Sequence, residues 1–415
     1  MGLYAQYHNV TRKGIPAFPL TGIVSNAASD LSTIPADSIA KIEIIKGSGS
    51  VQYGTDYKGG VILVTTKDGK CAGKFRVSIA GGSNHTYDAK LGYSSSDKNE
   101  TNASVSYDSK NVLSFGAKYI KLSWNTDENN STYRRDGSDA RRSFYIENAW
   151  STDNRTRLTI GIRYEDMTQD FSDNKSVISK MTTKSHATDP VLNFTHDVTT
   201  LDTIRFSAGR SHVFVGSKDA AGNIRSGYPV PNLERNSNYE IGWKHKFGSK
   251  AKFDLPHFHT EVRDHITMIT FGRDRVLENV DKTHIRGLEL AYRQTFSPKL
   301  SAFANYTWIN AKDEENGVTK LASGLPTQMF NLGVTYREGK FRSSLLGRAM
   351  RARLDTSGDP TSAGYFAADL DFRYEPQTDL GIFLHVSNLF DTDYQYRWGS
   401  PADGTNFLLG ADMTF

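Results

Sequence analysis

The chain has 415 residues, rich in glycine (35), tyrosine (20) and phenylalanine (22) and poor in proline (12), methionine (7) and cysteine (1), a balance that favours one large sheet-rich body over several helical domains. Fifty Lys and Arg against 46 Asp and Glu leave a net charge of +4, which offers no dense cationic field to a nucleic-acid backbone. The lone Cys71 excludes an intramolecular disulfide, a zinc knuckle and a CxxC redox pair. Mean hydropathy is −0.52 and no apolar run approaches the ~18 residues of a membrane helix. A membrane barrel keeps so soluble-looking an average, because alternate residues face lipid and water. Met1 to Gln6 carries neither the basic start nor the apolar stretch of a secretory leader, so an exported protein is expected to have its leader outside this sequence.

In chain order, residues 1–70 come first and read as a small mixed unit. A short helix is predicted over Ala36–Ile39 after Pro35, and a strand from Ile42-Glu43-Ile44. Tight turns follow at Gly47 and Gly49, and Gly59-Gly60 would let a second strand, Val61–Thr66, approach closely. From Phe75 onward the chain breaks into about seventeen segments in which apolar and polar residues alternate, the pattern of strands with two unlike faces. Leu158, Ile160, Ile162 and Tyr164 oppose Thr159, Gly161, Arg163 and Glu165. Tyr239, Ile241, Trp243 and Phe247 oppose Glu240, Gly242, Lys244 and Lys246, and Phe330 to Tyr336 and Phe366 to Tyr374 repeat the pattern.

A soluble sandwich would bury the apolar set against a second sheet. Two features point to lipid instead. Aromatic residues stand at strand ends (Tyr119, Trp124, Trp150, Tyr164, Trp243, Tyr292, Tyr306, Trp308, Tyr336, Tyr374), and the opposing set is repeatedly charged or glycine. Connections also alternate in kind. Phe296–Lys299 and Glu375–Thr378 are short, whereas Thr126–Arg142, Ser172–Asp189, Ser211–Asn236, Asp313–Pro326 and Asp391–Thr405 are expected to be long polar loops. The fold class expected is all-β, an antiparallel transmembrane β-barrel of about 16–22 strands over residues 71–415, preceded by a smaller unit over residues 1–70.

The stretch from Ile34 to Gly54, followed by Gly59-Gly-Val-Ile-Leu-Val-Thr-Thr-Lys67, resembles the last part of the plug domain of TonB-dependent outer-membrane receptors. Gly47, Ser50, Tyr53, Gly54, Gly59 and Gly60 match its pattern, while Ser48 stands where proline is usual. Asn388-Leu389-Phe390-Asp391-Thr-Asp-Tyr394 resembles the family's element before the last hairpin, and the terminal Phe415 its barrel-insertion signal. Asn232 to Gly242 is similar to a further family element in a shorter form, with Glu234 matching, and Gly287-Leu-Glu-Leu290 to a strand start. The resemblance implies a partial plug inside the lumen, a lipid-facing belt, and energised uptake of a scarce large nutrient such as a ferric siderophore, cobalamin or haem. It implies the TonB energy-transducing complex as partner, a metal-chelate or corrinoid as ligand, and contact with outer-membrane lipid. The TonB box that meets that complex does not occur in these residues. A family barrel has about 22 strands, and the shortfall is expected between Asn111 and Asp189. By resemblance to cobalamin receptors, Thr21, Ser25, Asn26, Ser50 and Gln52 would face the ligand.

No catalytic constellation is legible. There is no HExxH motif and no nucleophile elbow, and the loop Gly47 to Tyr53 lacks the Gly-Lys-Ser/Thr of a phosphate cradle, so no enzyme, cofactor or metal is expected. His257 and His259 read as strand-surface or lumen lining, and Asp369, Asp371, Asp391 and Asp393 as lumen or loop acids too sparsely supported for calcium. His212 invites a haem-ligand reading, without the motif that surrounds that histidine in haem receptors. A passive barrel with a vestigial plug and a soluble β-rich binding module are the alternatives.

Overall fold

The alternation becomes one long antiparallel meander. A computed structural model of the chain describes residues 10–12, 15–16, 39–46, 60–66, 98–108, 111–128, 133–173, 181–271, 274–322, 325–354, 360–377, 380–397 and 400–413. A four-stranded sheet holds β1 (Val10–Arg12), β2 (Ile15–Pro16), β3 (Ile39–Lys46) and β4 (Gly60–Thr66) in the order β2-β1-β4-β3, with β3 and β4 antiparallel through Ile42 opposite Val64. Ile39 lies in β3 and not in a helix, because its ladder continues to Thr66. Thr21, Ser25, Asn26, Gly47, Ser50, Gln52, Tyr53, Gly54 and Gly59 lie outside the described residues, as does Phe415, while Gly60 opens β4.

The large sheet runs through β5 (Lys98–Asp108), β6 (Asn111–Glu128), β7 (Tyr133–Ser151), β8 (Thr156–Asp173), β9 (Met181–Asp197), β10 (Asp202–Val213), β11 (Glu234–Phe247), β12 (Ala251–Phe271), β13 (Asp274–Thr295) and β14 (Leu300–Glu315). It continues through β16 (Gln328–Glu338), β17 (Phe341–Met350), β20 (Tyr365–Gln377), β21 (Leu380–Ser387) and β24 (Asn406–Met413). A short β15 (Val318–Leu321) hangs on β14, and the two-residue or three-residue strands β18 (Arg353–Leu354), β19 (Pro360–Ser362), β22 (Gln395–Arg397) and β23 (Ser400–Pro401) form small hairpins off the sheet. Sequence neighbours are sheet neighbours throughout. β5 and β24 are its two edges, and no pairing joins them among the described residues. Between Asn111 and Asp189 the ladder passes without a break from β6 to β9.

Which way the faces point decides the solvent. Ile160, Ile162 and Tyr164 are 46, 45 and 42% exposed, while Gly161, Arg163 and Glu165 between them are buried. Phe144 and Ile146 are exposed beside buried Ser143 and Glu147, and Ile241 is 61% exposed beside buried Gly242. A water-soluble protein arranged so would be inside out, losing about 1.5–3 kcal/mol for each large side chain left wet. In a bilayer the same belt is solvated by lipid, and the charged set needs the enclosed, concave side. Among the described residues no helix is long and apolar enough to cross a membrane.

The two rims differ. On one, the connections are tight and self-satisfied: Asp153 Oδ1 accepts from the backbone N–H of Arg155 and Thr156, Thr199 Oγ1 from those of Leu201 and Asp202, and Ser297 Oγ from that of Leu300. Gly248 and Gly339 take φ of 62° and 54° in two further turns, a conformation open to glycine without steric cost. The opposite rim carries the extended connections, the asymmetry of periplasmic turns and extracellular loops. There the expected loops are partly strand. Thr126–Arg142 is mostly β6 and β7, and Ser172–Asp189 includes the first half of β9. At 21 and 22 residues, β12 and β13 span about 70 Å, far beyond a ~25 Å apolar band. Alternation fades in these stretches because the outer face is no longer in lipid and the inner face mixes polar residues with a few buried apolar ones, which is why they look like loops in the sequence.

Candidate ligand vestibule at the long-loop rim

Within Ser211–Asn236 the chain leaves β10, forms helix α1 (Ser217–Arg225) and re-enters the sheet at β11. The helix carries Asp219 in its first turn and Arg225 in its last, charges that complement its dipole. It packs against β7, β8 and β13. Val215 and Ala220 meet Phe171, Ile266 and Leu277 in a small apolar cluster, with Trp124 and Ile224 against it. Trp124 is thus an inward residue and not part of the outer aromatic set: its indole lies over Gly137 and donates to Ser217 Oγ at 2.7 Å.

Polar side chains lock the helix to the wall. Asp139 Oδ1 accepts from the Ser217 backbone N–H at 2.9 Å and from Gln169 Nε2 at 3.1 Å, and that amide also donates to the Val215 carbonyl. Asn223, buried, pairs with Leu277 as a strand residue would: its Nδ2 donates to the Leu277 carbonyl at 2.7 Å and its Oδ1 accepts from the Leu277 N–H at 2.8 Å, with a further Nδ2 bond to Pro229 O. Burial holds the Asp219 carboxyl above its usual range, with Lys218 opposing and Asp139 adding to the shift.

The Asn232–Gly242 element has a mechanical role here. β11 stops pairing with β12 at Arg263, and Asp264 at φ 53° bends the strand. Glu234, fully buried, accepts the Ile266 N–H at 3.0 Å that β11 no longer reaches, and receives Asn236 Nδ2. Asn279 closes the gap, donating to Asp264 O and accepting from the Asn232 N–H.

Below this cap the inner face is polar. Arg163 donates to Glu165 and to Ser143 Oγ, and Asp189 Oδ2 lies 2.7 Å from His212 Nδ1. His212 is 1% exposed and edge-on to Phe214, so its ring belongs to the wall. Lower down, Arg205 crosses Gly242 to reach Glu240 at 2.9 Å and Asp254 at 2.7 Å; a Cβ on Gly242 would stand 2.5 Å from the guanidinium carbon. His257 and His259 face outward, in register with Ile241 and Tyr239. Among the described residues no three His, Cys, Asp or Glu side chains converge on a metal site.

The Asn388–Tyr394 element forms a turn at the same rim. Asn388 takes φ 50°, donates through Nδ2 to the Thr392 and Asp403 carbonyls and accepts the Thr392 N–H; Asp391 at φ 52° accepts that of Thr405. Leu389 N–H donates to Ala368 O, Phe390 stacks on Phe366, and Tyr394 stacks on Tyr365 and accepts from Arg348. Asp369 accepts the Asn388 N–H and Asp371 lies 2.7 Å from His385 Nδ1, so both acids are engaged in the wall. α1, Asn223 and Gln169 were not anticipated from the sequence, although Ser217-Lys-Asp-Ala-Ala with Arg225 carries a helix signal.

The family model for the TonB dependent receptor-like β-barrel matches residues 28–389. An iron-regulated outer membrane virulence protein of Vibrio cholerae is 24% identical over 223 residues, 48% of this chain and 34% of that protein, and the catecholate siderophore receptor Fiu of Escherichia coli K12 is 25% identical over 176 residues, 38% and 23%. Among solved structures the copper transporter OprC superposes with a TM-score of 0.65 at 16% identity over 76% of this chain and 56% of its own, and the unliganded ferric citrate transporter FecA with 0.62 at 17% over 76% and 54%. The chain therefore spans about a third or less of the curated relatives' length and a little over half of the structures'. With the apolar belt turned outward, the polar wall turned inward and the match running through nearly the whole chain, this protein belongs to the TonB-dependent receptor-like β-barrel family of the Gram-negative outer membrane.

Proposed function

We propose that this protein is a TonB-dependent receptor that captures a scarce iron chelate, a ferric siderophore, at the long-loop rim and passes it inward with energy supplied by the inner-membrane TonB complex. The observation that carries the reading is the polar inner wall of Arg163, Glu165, Asp189 and Arg205 beneath a rim roofed by α1, on a sheet whose other face is apolar. Such a wall offers fixed hydrogen-bond donors and acceptors and no nucleophile–base pair, which suits binding and release of a polar cargo without chemistry. The names of the Vibrio and Escherichia relatives favour iron over cobalamin or haem as cargo. Residues 1–70 would act as the plug and residues 71–415 as the barrel, with Thr21, Ser25, Asn26, Ser50 and Gln52 as plug contacts to the cargo. The test is growth on a ferric siderophore as sole iron source in a host lacking its own receptors. Growth that requires both this gene and an intact energy-transducing complex supports the proposal; growth unaffected by loss of that complex would identify a passive barrel.

A further inference from the structure

The outer face of β10–β14 changes character abruptly above the apolar belt. One register row, Trp308–Leu288–His257–Ile241–Phe206, is the last that is mainly apolar. The next three rows toward the long-loop rim place Arg286 between Asn310 and His259, then Lys312, His284, Glu261 and Arg210, then Glu314, Lys282, Arg263 and Arg235. Six Lys and Arg thus share a patch with two carboxylates. Both carboxylates are already engaged: Glu261 with Arg263, and Glu314 with Lys282 and His284 at 3.8 Å each. Arg235 turns to Asp264. Arg210 and Arg286 are exposed, and neither they nor Lys312 has an ion pair with a carboxylate among the described residues. Further round the sheet, on β7 and β8, an outward Arg142 is paired with Asp166 at 3.6 Å.

Side chains on this face are in lipid below and in the headgroup layer above, so the unpaired cations stand where phosphate esters of the outer leaflet lie. Arg286 on β13 and Lys312 on the adjacent β14 can share one phosphate, which Arg can engage bidentately, while Arg210 on β10, three strands and roughly 15 Å from β13, can meet a second. The geometry points to a binding surface for the phosphorylated glycolipid of the outer leaflet, with Arg210, Arg286 and Lys312 as the phosphate ligands and Tyr239 and Trp308 against its upper acyl region. The charge excess and its continuity with the apolar belt select a lipid occupant; a second copy of this chain would meet its own like charge.

The full chain, purified in neutral detergent and checked for heat-modifiable gel migration, is mixed with diphosphoryl or monophosphoryl lipid A and examined by native mass spectrometry. The wild type should retain the diphosphoryl form at least tenfold better, with retention falling as salt rises, and R210Q/R286Q/K312Q should lower it at least tenfold. E314Q, which frees Lys282, should raise it. If the triple variant does not fold, R286Q alone, at an exposed position, should lose retention severalfold. Equal retention of the two lipids, no change in the folded variants, or a lipid-independent dimer that covers this face would overturn the assignment.

Discussion

Asn223→Ala tests whether α1 is a docked roof or a loosely covering loop. The side chain makes three hydrogen bonds of 2.7–2.8 Å, two of them to the backbone of Leu277, itself 5% exposed. Truncation leaves the Leu277 N–H and C=O without partners beside an apolar cluster, where each unpaired group costs about 1–3 kcal/mol. Allowing for water entering the space vacated, the docked helix should lose about 3 kcal/mol, roughly a hundredfold in its opening equilibrium. Hydrogen exchange read by mass spectrometry should show that gain over Ser217–Arg225 and the tip of β12–β13, with β16–β20 unchanged. Asn223→Asp keeps the acceptor for the Leu277 N–H but sets a carboxylate against two carbonyls, and should do no better. Unaltered protection over α1 in Asn223→Ala would show that the apolar contacts alone hold the helix and that the pairing with Leu277 is incidental.

Further outcomes follow from the same geometry. Ile160→Arg places a charge in the outward belt and should cost about 2–4 kcal/mol in a bilayer, read as loss of the heat-modifiable folded form, whereas the same change on a water-facing surface would cost under about 0.5 kcal/mol. Gly242→Ala should displace the Arg205 guanidinium from Glu240 and Asp254 at a cost of about 1–3 kcal/mol, and the cost should shrink in an Arg205→Ser background, a coupling measurable by a double-mutant cycle in gel-shift melting. Asn388→Gly tolerates φ 50° but forfeits the side-chain bonds, so limited proteolysis should cut the 391–405 segment faster; an unchanged rate would assign the turn to its aromatic stacking. For Asp219, burial raises the carboxyl, so the docked state holds its proton more tightly than the released one. Docking of α1 should be strongest below the usual carboxylate value of 3.8 and weaken as pH rises through the raised one, and Asp219→Asn should abolish that trend in exchange corrected for intrinsic rates.

How much could be read in advance varies with solvent. Where strands cross lipid, one face must be apolar and the other must not, so Leu158–Tyr164 and Tyr239–Phe247 display their period directly and the barrel class follows. The family resemblance also singled out Asn388, which the structure holds at φ 50° with its side chain bonded to the turn. The vestibule was not legible. Its strands run beyond the membrane, where lipid no longer requires the outer face to be apolar and α1 buries part of the inner one, so β12 and β13 lose their alternation, and Trp124 on the same strand as Tyr119 points the other way.

Local chemistry along the chain therefore settled that this protein is a strand-built membrane body and where its tight turns fall, since lipid imposes a period of two that each segment must satisfy by itself. Only tertiary structure decided what roofs the rim, because Asn223 and Leu277, Asp139 and Ser217, and Glu234 and Ile266 are 54, 78 and 32 residues apart and make their bonds across strands. It likewise decided that Arg210, Arg286 and Lys312, unremarkable one by one, stand together on the outer wall, since strand register and not sequence distance makes them neighbours.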